Sequence, residues 1–184
     1  MSGDFADITG ECMKISAIVI ASSLLVPAAA FAQAVTDPQI ASIVVTANQV
    51  DIDAGKLAAS TTKNAEVKKF ANLMVTDHTG VNKQAVDLVT KLKVTPEDND
   101  TSRSLKAGGE KNVAALKALK GAAFDTAYVD HEVAYHQAVL DAVDKTLIPN
   151  AKNEELKALL VKVRPAFVAH LEHAKHLQSS LVKK

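Results

Sequence analysis

Six histidines occur in the chain, and three of them, His170, His173 and His176, stand three apart in RPAFVAHLEHAKHLQSSL, residues 164–181. On a helix turning about 100° per residue, this spacing puts His170 on the apolar stripe, His173 about 60° to one side and His176 about 120° away. His170 is therefore expected inside, His173 at the edge and His176 in water. Three further apolar stripes carry polar residues: Asp51, His78, and the pair Glu132 and His136. Positions four apart share a helix face, so Glu132 and His136 point the same way. Three imidazoles and two carboxylates in one low-dielectric space form a ligand set for a divalent metal such as Zn, Mn, Fe or Cu. A cation would also supply the partner that a buried carboxylate requires. The same residues equally allow a metal-free network in which Asp51 accepts from an imidazole, Tyr128 joins, and the polar layer fixes helix register.

Other chemistries find less support. The di-iron bundle signature needs Glu-x-x-His on two helices, whereas Glu132 and Glu172 each have a His four residues on. No nucleophile elbow, triad spacing or Gly-rich phosphate loop is visible. His131 and Tyr135 fall off the Glu132/His136 stripe and read as surface or helix-edge residues. Asp53 and Asp77 flank stripe positions and read as solvated, with Asp77 placed to orient His78 from outside. Lys68, Lys69, Lys111, Lys117 and Lys120 read as solvated faces.

The elements that would position these side chains are helices. Hydrophobic residues make up 48% of the 184 and aromatics only 4%, with no Trp, a composition suited to helical bundles. No alternating apolar run suggests a strand. Asp37-Pro38 reads as an N-cap followed by Pro, opening a helix to about Ser60 with the stripe Ile40, Val44, Ala47, Asp51, Ala54, Ala58. Asn64 caps a second helix reaching about Lys93, with Val67, Phe70, Ala71, Met74, His78, Val81, Ala85, Leu88 and Leu92 inward. A shorter Lys- and Ala-rich helix is expected over 101–119, interrupted at Gly108-Gly109. The third main helix runs from about Ala122 to Leu147 with Tyr128, Glu132, His136, Val139, Leu140 and Val143 inward. The fourth follows Asn153 and carries Leu156, Leu160, Val163, Phe167, His170, Ala174, Leu177 and Leu181. Pro165 inside it should bend it or cost about 3 kcal/mol of helix stability. The expectation is an all-α four-helix bundle with an extra short helix between the second and third main helices.

The N-terminus points to export. Met13-Lys14 precedes ISAIVIASSLLVPAAAFAQA, a basic start, a short apolar run and an Ala30-Phe31-Ala32 cleavage site, the pattern of a secretory signal peptide. Residues 1–12 are acidic and unlike a signal n-region, so translation is expected to begin at Met13. Cleavage after Ala32 leaves residues 33–184 as one domain and removes Asp4, Asp7, Glu11, Lys14 and the lone Cys12. The net charge then changes from zero to +2, too small for a general nucleic-acid field. Without cysteine the mature chain relies on its core. A periplasmic location follows, with no transmembrane segment after cleavage.

Four segments together resemble a bacterial family of exported ferritin-like domains of unknown function, often labelled outer-membrane proteins. They are VDIDAGKLAAS (50–60), NAEVKKFANLMVTDHTGVN (64–82), LKGAAFDTAYVDHEVAYHQAVL (119–140) and NEELKALLVKVRPAFVAHLEHAKHL (153–177). The resemblance implies a ferritin-like bundle behind a signal peptide, with His78, His136 and His170 at the family's recurring histidines. Asp51 stands where the family often has Glu. The reading leans to a non-enzymatic periplasmic binding or envelope-stress protein with a divalent metal in the bundle core. Its rivals are a ferritin-like metal oxidase or peroxide-consuming enzyme, and a structural or interaction bundle with a metal-free polar core.

Overall fold

The computed structural model describes residues 34–182, so the signal-peptide assignment lies outside the described residues. Five long helices follow one another: α1 (Asp37–Thr61), α2 (Ala65–Leu92), α3 (Asp100–Lys117), α4 (Gly121–Ala142) and α6 (Glu154–Val182), with a single turn α5 (Ile148–Asn150) before the last. No strand occurs among the described residues. No helix among them is long and apolar enough to cross a membrane.

Local chemistry sets the ends. Thr36, not Asp37, is the N-cap of α1: its hydroxyl accepts from the Gln39 amide and the Gln39 side chain accepts from the Thr36 amide. Asp37 is thereby free to accept from the backbone amides of Lys152 and Asn153, each at 2.9 Å, and it ties the start of α1 to the start of α6. Asn64 caps α2 through the amides of Glu66 and Val67. Asn153 does the same for α6 through Glu155 and Leu156. Such caps satisfy amides that the first helical turn leaves without partners.

Two expectations change. The helix over 100–117 is unbroken through Gly108-Gly109. Gly109 lies against α1, where an added Cβ would fall 2.6 Å from a Val50 methyl; the glycine marks a close approach of helices, not a break. The third main helix does not stay α-helical to Leu147. It widens after Ala142 into a π-helical turn, Val143–Leu147. Pro165 lies inside α6.

Helix α1 packs against α2 on one side and α3 on another, while α4 packs chiefly against α6. The apolar core falls into two clusters. One gathers Ile40, Val44, Val81, Leu140, Val143, Leu160, Val163 and Phe167; the other gathers Ala58, Val67, Phe70, Met74, Phe124, Tyr128, Ala174 and Leu177. On α1, α2 and α4 the polar stripe residues fall between the residues assigned to one cluster and those assigned to the other; on α6, His170 stands between Phe167 and Leu171 of the first cluster, one turn before Ala174 of the second. The polar side chains thus form a layer across the middle of the bundle.

Candidate metal centre

Asp51, His78, Glu132, His136 and His170 are all buried, each at most 3% exposed, and they meet in that middle layer. One ring nitrogen from each of His78, His136 and His170 lies within 4.8 Å of the others; Asp51, Glu132 and His136 form a second such group. The shortest distances are at Asp51. Its Oδ2 is 3.0 Å from His78 Nε2 and 3.4 Å from His136 Nε2, and the two Nε2 atoms are 3.4 Å apart.

The outer ring nitrogens determine which tautomer each histidine holds. Asn48 Nδ2 donates to the Val44 carbonyl at 2.8 Å, so its Oδ1 is free to accept from His78 Nδ1–H, also at 2.8 Å. His136 Nδ1–H donates to the Glu132 backbone carbonyl one turn back at 3.0 Å. His170 Nε2–H donates to Asp77 Oδ2 at 2.9 Å. A neutral imidazole that donates from one nitrogen carries a lone pair on the other. In the neutral form of each ring, lone pairs are therefore left on His78 Nε2, His136 Nε2 and His170 Nδ1, the last of which has no hydrogen-bond partner. Both oxygens of Asp51 likewise lack a hydrogen bond, although His78 Nε2 is near.

Burial sets the charges. It pushes the His136 imidazole down to about 4, against the opposing pull of Asp51. It also lowers His170, with the Asp77 hydrogen bond acting the other way. Burial, reinforced by Asp51, holds the Glu132 carboxyl well above its ordinary value. At Asp51 burial is the largest influence and acts upward, but the adjacent His78 and the other imidazoles outweigh it and leave the carboxyl below its usual value. Burial thus disfavours charge on Glu132, His136 and His170, while the neighbouring imidazoles favour the carboxylate form of Asp51. Burial, with Glu132 next, pushes the Tyr128 phenol well up; its hydroxyl stands beside Glu132 without hydrogen-bond geometry.

All five residues singled out in the sequence are brought together. Asp77 is placed differently from expectation: it orients His170, not His78, because the ring of His170 reaches it across the α2–α6 contact. Asp53 is exposed and accepts from Gln49. His173 is half-buried with its ring against Phe70, and His176 is exposed. His131 and Tyr135 are at the helix edge, with the Tyr135 hydroxyl donating to the Ala47 carbonyl of α1 at 2.8 Å. Asn48 was not anticipated. It lies one residue from the assumed stripe, and its side chain turns to His78 of α2.

Fold and site together define an all-helical domain with a buried three-histidine group that could hold a metal. The chain belongs to the family described as Domain of unknown function (DUF4142), whose sequence model matches residues 24–177. No curated protein and no solved structure matches it.

Proposed function

We propose that this chain is an exported divalent-metal-binding protein. Asp51 Oδ2, His78 Nε2, His136 Nε2 and His170 Nδ1 are the ligands, and the Glu132 carboxyl lies beside them. The observation that carries this reading is the convergence of lone pairs. His78 Nε2, His136 Nε2 and Asp51 Oδ2 approach within 3.0–3.4 Å, and the other nitrogen of each ring is already committed as a donor. Three acceptors that close repel one another unless a metal cation or a proton lies among them. Ligands bonded at about 2.0–2.1 Å around a tetrahedral ion stand about 3.3–3.4 Å apart, which matches two of the three separations. The outer partners Asn48, the Glu132 carbonyl and Asp77 resemble the hydrogen bonds that orient histidines at metal sites. Three imidazoles and one carboxylate suit Zn²⁺, Fe²⁺, Mn²⁺ or Cu²⁺ better than a hard ion such as Ca²⁺.

Helices α1, α2, α4 and α6 take a ferritin-like arrangement, with α3 in the connection between its halves. The domain works in the periplasm after removal of residues 1–32, as a binding or envelope-stress protein and not an oxidase. Cobalt titration tests the site. Co²⁺ in a four-coordinate nitrogen and oxygen site absorbs visibly and strongly. The mature chain should give that spectrum at one equivalent, and His78→Ala should lose it. A spectrum like that of cobalt in water, in folded protein, would refute the site. Oxygen or peroxide consumption by the iron-loaded protein would instead support the oxidase reading.

A further inference from the structure

Beside the histidines lies a cavity of about 30 Å³ in the first apolar cluster. Its apolar walls include Val143, Leu147, Leu160, Val163 and Phe167, and its polar edge is Asn48, His78, His136 and Tyr135, whose hydroxyl proton goes to the Ala47 carbonyl. That volume has room for about two water-sized spheres. Water is a poor occupant, since a buried water needs two to four polar partners. Both polar atoms of the Asn48 amide are engaged, by Val44 and by His78. The Nδ1 atoms of His78 and His136 are engaged too, and their Nε2 atoms are turned toward Asp51.

A second feature shows the cavity to be shaped by the backbone. Val143 and Leu147 are the two ends of the π-helical turn that interrupts α4. Such turns are rare and concentrate at functional sites. Here the widened turn puts both side chains on the cavity wall. All walls are buried except Ala47, Tyr135 and Val139, which are half-buried. The hydrogen bond from Tyr135 to the Ala47 carbonyl spans that side.

We infer that this chamber binds a nonpolar diatomic molecule, dioxygen by size and polarity, against the His78 and His136 rings of the proposed metal centre. Its role beside an ion rests on the metal reading; its occupancy does not.

The test uses the mature chain, residues 33–184, with and without one equivalent of Zn²⁺, under xenon pressure in the crystal and under dioxygen pressure in solution. One xenon atom is expected among Val143, Leu160 and Phe167 in both forms. Dissolved dioxygen should relax the methyl protons of Val143, Leu160 and Val163 more than those of Val67 and Met74 in the other cluster. In Val163→Phe, which fills the chamber, the xenon and the excess relaxation should be lost while zinc is retained. Ordered water in place of xenon, or equal relaxation in both clusters of the wild type, would overturn the inference even if the variant does not fold. Xenon without zinc binding would sustain the chamber and sink the metal reading. Zinc without xenon would do the reverse.

Discussion

His78 is fixed from several directions. Its Nδ1 is held by Asn48, its face is stacked parallel on Phe167 with centroids 5.4 Å apart, and its Nε2 is aimed at Asp51. Replacing Asn48 with Leu removes the acceptor and leaves a buried N–H unpaired. Denaturant titration should show a loss of about 1–3 kcal/mol, and zinc competition should show about 10–100-fold weaker binding. Asp77→Ala should weaken zinc by a similar about 10–100-fold through His170, and His176→Ala, at an exposed position, should leave it unchanged. Equal zinc affinity in wild type, Asn48→Leu and Asp77→Ala would show that these contacts do not orient ligands. The five stripe residues were legible because a polar residue on an apolar helix face stands out in sequence. Their outer partners were not. Asn48 follows an alanine on the assumed stripe, and Asp77 is polar on a face that looks wet, so neither breaks a pattern.

At the scale of the helix, the neighbouring glycines of α3 should respond in opposite directions. At Gly108 an added Cβ meets nothing within 4 Å, so Gly108→Ala should stabilise by about 0.4–1 kcal/mol by restricting the unfolded chain. At Gly109 the same methyl would overlap Val50, and Gly109→Ala should cost about 1–3 kcal/mol. Val50→Ala in the Gly109→Ala background should recover part of that loss, which a double-mutant cycle reads directly. In sequence the two glycines look alike because helix propensity is the same for both; only the crossing of α3 over α1 separates them. The helices themselves were legible from their period and caps. The π turn was not, since Val143–Leu147 continues the apolar period without a break.

The α1–α3 contact also has an acid dependence. Hydrogen bonds from Ser42 of α1 and then from Ser102 of α3 hold the Asp98 carboxyl below its ordinary value. A carboxyl lowered in the folded state contributes stability that is complete above its unfolded value, about 3.9, and is lost as pH falls through the folded value. Urea midpoints should therefore fall on acidification below about pH 4. Asp98→Asn should lower the midpoint at pH 7 and flatten that acid limb. An unchanged slope in the variant would remove Asp98 from the account.

Across the whole molecule, two apolar clusters share one polar layer, so an ion bound there would join α1, α2, α4 and α6. Binding to the folded state alone adds about 2.7 kcal/mol when free metal is a hundred times Kd. Zinc should therefore raise Tm in a concentration-dependent way and a chelator should lower it; indifference to both would separate the layer from stability. Export is tested by the N-terminus of the protein recovered from periplasmic extracts, which should be Gln33; a chain retaining residues 13–32 would contradict cleavage.

The most direct test is elemental mass spectrometry of the untagged mature chain purified from metal-replete cells. The account predicts near one divalent metal per chain, lost in His78→Ala and His170→Ala and kept in His176→Ala. A folded wild-type chain that stays metal-free after incubation with Zn, Mn, Fe and Cu would contradict it and leave the polar layer as architecture.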